Sequence, residues 1–119
     1  MKNYIYILFL VSASTINAQD SSKKEKTTFK VLGNCEMCKM RIEKAALSLK
    51  GVKYAKWSVL ESQLSLIYNP SRVKLLEIHN SIANSGHDTS DIEAPTDIYN
   101  ELPICCLYVR DKKNNAPLK

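Results

Sequence analysis

Apolar and polar positions divide this chain into short elements of alternating period. Thr27 to Leu32 (TTFKVL) sets threonine, phenylalanine and valine in alternation, which predicts a strand, and Gly33 and Asn34 end it. From Met37 to Leu49 the apolar residues Ile42, Ala45, Ala46 and Leu49 return every three or four positions. That spacing gathers them on one face of a helix, and Gly51 follows where a C-cap is expected. Ala55, Trp57 and Val59 then alternate with Lys56 and Ser58. Beyond the turn-like ESQ at 61–63, Leu64, Leu66 and Tyr68 alternate with Ser65 and Ile67, so a hairpin is predicted. Asn69 and Pro70 stop it, Ser71 is placed to cap a second helix, and Leu75, Ile78, Ile82 and the closing Gly86 keep helical spacing. His87 to Ile92 (HDTSDI) adds a short, polar edge strand. The order is βαββαβ, an α+β open-faced sandwich: an antiparallel sheet with two helices on one face, and Trp57, Tyr68 and the leucines in its core.

The flanks add organisation. MKNYIYILFLVSASTINA has one basic residue, an apolar run over about 4–11 and small residues up to Ala18, the pattern of a cleaved signal peptide over residues 1–18. The run is about half the length of a membrane-spanning helix. Cleavage removes one of 17 basic side chains, Lys2, and none of 12 acidic ones, so the formal charge falls from +5 to +4. Residues 19–26 (QDSSKKEK) are polar and without period, a flexible leader. Residues 27–93 form one small domain, and 94–119 form a C-terminal extension. A basic balance suits nucleic acid, yet export and the lack of a recognition motif argue against it. The protein is expected to be periplasmic or secreted.

Four cysteines, Cys35, Cys38, Cys105 and Cys106, accompany the chain into an oxidising compartment. GNCEMCKMRIEKAAL sets Cys35 and Cys38 three apart where a helix begins, which suits a metal clamp, a redox couple or a structural staple. A thiol–disulfide oxidoreductase ordinarily uses a longer, thioredoxin-like chain with tryptophan beside the first cysteine, and this sequence has neither. No Ser/His/Asp set, paired-acid cleft or phosphate loop offers other catalysis, so no enzymatic role is expected. The staple reading, in which CxxC and the later CC form disulfides, stays open, with three connectivities.

The segments CEMCKMRIEKAAL, GVKYAKWSV, LSLIYNP and IANSGHD, in this order and spacing, resemble the heavy-metal-associated (HMA) domain family. Its members include copper chaperones, mercury-binding periplasmic proteins and metal-pump N-terminal domains. The resemblance covers about residues 27–93 and implies a ferredoxin-like fold with Cys35 in a loop and Cys38 in the first helical turn, both sulfurs on one side. The helix dipole and backbone N–H groups there favour thiolate, the form that binds metal. Two soft ligands suit Cu(I) best, with Hg(II) an opportunist. Zn(II) prefers four ligands where the pair supplies two. The family usually has a methionine two residues before the first cysteine; here that place holds Gly33.

The same resemblance puts His87 beside the metal loop, as a further ligand, a hydrogen-bond donor or a solvent-facing residue, whereas His79 is expected on the surface. Lys39, Arg41 and Lys44 lie on the exposed side of the first helix, either simply solvated or steering an acidic partner. Such a partner is a metal-transporting membrane protein or another metal-binding domain, and the metal-free protein is expected to be monomeric. TDIYNELPICCLYVR (96–110) begins at the far end of the last strand and must return about 20 Å to reach the CxxC pair. Thr96 to Leu102 supplies two helical turns with Ile98 and Leu102 on one face. Neighbours in an extended chain point oppositely, so one of Cys105 and Cys106 is expected to face Cys35 and Cys38, as a third thiolate or a disulfide partner.

Overall fold

The computed structural model describes residues 23–110. The expected signal peptide, residues 1–18, lies outside the described residues. In chain order the elements are β1 (Glu25–Lys30), α1 (Glu36–Leu47), β2 (Val52–Ser58), β3 (Gln63–Tyr68), α2 (Leu75–Asn84), α3 (Thr96–Asn100) and a single 3-10 turn, Ile104–Cys106. The sheet runs β1-β3-β2 with both pairings antiparallel. Phe29 opposes Leu64 on one side and Trp57 opposes it on the other, so the alternating apolar positions converge on one face. With Ile42 and Ala46 of α1 and Ile78 and Ile82 of α2 they form the core, which includes the expected Trp57, Leu64, Leu66 and Tyr68.

Several boundaries depart from the sequence reading. β1 opens at Glu25, so Glu25 and Lys26 belong to the sheet and not to a leader ending at residue 26. Ser71 does not cap α2. Its N–H is held by the Asn69 Oδ1 at 2.9 Å, and the helix starts after Lys74, whose N–H donates to the Glu77 carboxylate at 2.7 Å. Gly86 ends α2 at φ +105°, its N–H bonding the Ala83 carbonyl while the His87 N–H reaches the Ile82 carbonyl, a Schellman closure that needs the left-handed residue.

The expected edge strand over 87–92 shrinks to one bridge, Val31 with Thr89. The Thr89 hydroxyl accepts from the N–H groups of Asp91 and Ile92, and this local turn pulls the chain off the sheet. The segment's first three residues, His87, Asp88 and Thr89, are buried, whereas Ser90 and Asp91 are exposed. What buries His87 and Asp88 is the C-terminal extension, which is part of the same domain. Leu102 sits on Gly86, where a Cβ would meet it at 2.7 Å, and the Tyr108 hydroxyl accepts from the Asp88 N–H and donates to the Gly86 carbonyl, both at 2.8 Å. Arg110 clamps the Asp88 carboxylate with Nε and Nη2 at 2.8 and 2.6 Å.

His79, expected on the surface, is instead 2 % exposed. Its ring stacks on Phe29 with centroids 3.9 Å apart, and Nδ1 shares a 2.7 Å hydrogen bond with the Thr89 hydroxyl. An amphipathic ring satisfied this way behaves as core. Burial lowers its pKa, and the Asp91 carboxylate partly opposes that shift.

Gly33 explains the missing methionine beneath the metal loop. A Cβ there would stand 3.0 Å from both the Cys38 Cβ and the Trp57 ring, so the indole fills this space. Trp57 is anchored by Nε1–H to the Val31 carbonyl at 3.0 Å. Its backbone joins α1 on both sides, N–H to the Glu43 carboxylate at 3.0 Å and C=O from Lys39 Nζ at 3.1 Å, while Lys39 and Glu43 also pair with each other.

Two outcomes are expected. Gly33→Met should destabilise the fold by about 1–3 kcal/mol through overpacking against the immobile indole, read as a lower denaturant midpoint and a shifted tryptophan emission; an unchanged midpoint would refute the close fit. The second concerns pH. Burial keeps His79 and His87 below the ordinary histidine value of 6.5, so the unfolded chain takes up protons first as pH falls. Stability from these residues is therefore present above about pH 6.5 and lost as pH drops toward their folded values. His79→Gln keeps a polar partner for Thr89 but cannot titrate, and should show a shallower loss of stability between about pH 7 and 5. Equal slopes for the two proteins would count against it.

Candidate metal centre

Cys35 is the N-cap of α1 in extended backbone, and Cys38 lies one turn into the helix. This geometry brings their sulfurs to 3.7 Å. The Asn34 N–H points at Cys38 Sγ at 3.4 Å. The backbone N–H of Cys38, then that of Met37, lowers the Cys35 pKa against a smaller opposing effect of desolvation. The helix start thus favours a thiolate at Cys35, the more exposed of the CxxC pair. Cys38 is fully buried and Cys35 half-buried.

The extension returns to this pair as expected, but it brings both of its cysteines. Cys35, Cys105 and Cys106 place their sulfurs within 4.8 Å of one another, and those of Cys105 and Cys106 are 4.0 Å apart. Burial, and after it the neighbouring Cys38 thiol, push the Cys106 pKa well above the usual thiol range. The expectation of one inward cysteine assumed extended backbone. In the 3-10 turn adjacent side chains are about 120° apart rather than opposed, so both sulfurs can face the same way. Pro103, whose carbonyl accepts the Cys106 N–H at 2.7 Å, was the signal in LPICC that a turn starts there. Met37, between the two CxxC cysteines, adds a fifth sulfur. Its thioether is 3.6 Å from Cys105 Sγ.

His87 is neither solvent-facing nor part of the sulfur cluster, which among the described residues is the group of potential ligands brought together. Its Nδ1 is 2.9 Å from the Leu32 carbonyl and must carry the proton to donate, which leaves Nε2 as an acceptor with no partner among the described residues. Burial lowers its pKa, the Leu32 carbonyl opposes this, and Arg41 reinforces it. The ring lies against Tyr108, centroids 5.6 Å apart, and so supports the tail behind the cysteines.

The three cations of α1 are not equally free. Lys39 is held by Glu43 and the Trp57 carbonyl, and Arg41 reaches the Ser85 carbonyl with its Nε buried. Lys44 is exposed beside Met40 and Leu47.

The family model for the heavy-metal-associated domain matches residues 28–88, which contain Cys35, Cys38 and His87 but stop before Cys105. Among solved structures, a candidate copper-ion-binding protein from Bacillus anthracis is 30 % identical with a TM-score of 0.56, covering 59 % of this chain and 100 % of that one. The CopZ metallochaperone is 27 % identical with a TM-score of 0.53 over 55 % of this chain and 98 % of that one. The N-terminal domain of a potential copper-translocating P-type ATPase from Bacillus subtilis, in the Cu(I)-loaded state, is 25 % identical with a TM-score of 0.53 over 56 % and 84 %. No curated protein sequence matches the chain. With its paired thiols at the start of α1 and a family match over half its length, this chain belongs to the heavy-metal-associated domain family.

Proposed function

We propose that the protein binds one Cu(I) between Cys35 and Cys38 and serves copper trafficking or sequestration outside the cytoplasm. The observation that carries the reading is the pair of sulfurs 3.7 Å apart at a helix start, with backbone N–H groups directed at both. Two thiolates saturate a soft monovalent ion, and no carboxylate joins the cluster among the described residues to favour a hard one. Hg(II) would be held by the same softness. Relatives named for copper, one of them in a Cu(I)-loaded state, support Cu(I) as cargo. Export rests on the sequence of residues 1–18. For delivery, the exposed Met37, Met40 and Leu47 with Lys44 give α1 an apolar, basic-edged face beside the cysteines, suited to an acidic-rimmed domain of a metal transporter or a second metal-binding domain.

Anaerobic titration of the reduced protein with Cu(I) against a competing chelator tests this. A stoichiometry of one is expected, and Cys35→Ser combined with Cys38→Ser should weaken binding by at least about 100-fold, near 2.7 kcal/mol. Unchanged affinity in that variant, with its circular dichroism intact, would refute the assignment.

A further inference from the structure

The tail cysteines lie outside the residues the family model matches, yet the segment that carries them is anchored on both sides. Leu102 is fixed on Gly86 three residues before Cys105, and Tyr108 is fixed on Gly86 and Asp88 two residues after Cys106. Tyr99 donates its hydroxyl to the Tyr108 carbonyl at 2.5 Å and carries the Arg110 guanidinium over its ring at 4.7 Å. A segment anchored on both sides keeps little freedom. Its two sulfurs are therefore delivered to Cys35 and Cys38 without a large entropic cost at the moment of binding.

We propose that Cys105 and Cys106 join Cys35 and Cys38 in one four-thiolate centre, closed by the tail, that takes a divalent ion of Zn(II) type. This rests on the reading that Cys35 and Cys38 bind metal. A tetrahedron of sulfurs about 2.3 Å from a central ion has edges of about 3.8 Å. The observed separations are 3.7 Å for Cys35 with Cys38 and 4.0 Å for Cys105 with Cys106. Cys35, Cys105 and Cys106 lie within 4.8 Å of one another, and Cys38 stands outside that group but beside Cys35. Closing the shell takes side-chain rotations that bring Cys38 and the tail sulfurs to a common centre.

Charge decides which ion the complete shell prefers. Four thiolates around a monovalent ion leave −3 in a partly buried site, whereas a divalent ion leaves −2, and desolvation penalises the larger charge more. Cu(I) is served by Cys35 and Cys38 alone. A divalent ion recruits all four, and the S–H protons pass to solvent as the metal–sulfur bonds form. Cys105 is exposed and Cys35 half-buried, so an ion has a way in, while Cys38 and Cys106 form the buried side.

Co(II), a spectroscopic stand-in for Zn(II), tests the proposal in the reduced full chain under a non-thiol reductant. Wild type should bind one Co(II) with tetrahedral d–d bands and the sulfur-to-metal charge-transfer intensity of four thiolates. Cys105→Ser, at an exposed position that disturbs no core, should lose about a quarter of that intensity. The double variant Cys105→Ser, Cys106→Ser should lose at least about 100-fold in Zn(II) affinity while its Cu(I) affinity stays within about tenfold, with circular dichroism reporting the fold. A wild-type Co(II) spectrum of two thiolates, or a double variant that holds Zn(II) as well as wild type, overturns the four-thiolate centre and leaves the Cu(I) reading standing. Failure of the Cu(I) reading looks different: Cys35→Ser with Cys38→Ser would then bind Cu(I) as wild type does.

Discussion

Asp88 is the residue on which this arrangement turns. Its side chain is 1 % exposed, and a carboxylate taken out of water without partners would cost several kcal/mol. Among the described residues the body of the domain does not supply those partners. They come from the extension: two guanidinium N–H groups of Arg110 and the N–H of Ala94 at 2.7 Å. The Asp88 main chain is committed as well, its carbonyl to Leu32 and its N–H to Tyr108. The end of β1, the residues after α2 and the tail therefore meet at one carboxylate. Removing any of the three leaves a buried charge or a buried peptide group unpaired.

The metal loop is held from beneath by a second clasp. Gly33 allows the Trp57 indole to reach the Cys38 Cβ, and Lys39 and Glu43 grip the Trp57 peptide from α1. A bulky aliphatic residue in the loop and a large aromatic on β2 would compete for the same volume, so Gly33 and Trp57 form a complementary pair. The indole buries more surface than a methionine and fixes its own orientation through the Val31 carbonyl. Rigidity in the ligand loop here comes from the sheet.

Much of this was legible in the order of residues. Period-two runs and three-to-four spacing placed β2, β3, α1 and α2 to within a few positions, because one buried face per element leaves a direct imprint on the sequence. CxxC before a helical pattern located the paired thiols at the start of α1 for the same local reason. The histidines were illegible. His79 and His87 are buried by partners far along the chain, Phe29 and Thr89 for one, Leu32 and Tyr108 for the other, and nothing local distinguishes a satisfied core histidine from a solvated one. The edge strand was overread because the alternation in HDTSDI does not reveal that the Thr89 hydroxyl diverts the next N–H groups. The parity of Cys105 and Cys106 depended on one backbone state, extended or turned, and Pro103 settled it.

Anchoring on both sides makes the position of the tail sulfurs a property of the fold and not of a flexible arm. Lifting the tail would expose Leu102 and Tyr108, each worth about 1.5–3 kcal/mol in burial, and would unpair Asp88. Opening is thus a sub-global event whose free energy adds to any cost of withdrawing Cys105 and Cys106 from Cys35. A metal bound by all four sulfurs would stabilise the closed tail by its differential affinity for that state, and the closed tail would hold the metal by the same amount. An ion held by Cys35 and Cys38 alone escapes this coupling, because neither thiol needs the tail to reach its position at the start of α1. Under this proposal one domain would hold one class of ion in a shell tied to its folding and another at a pair that stays free of it.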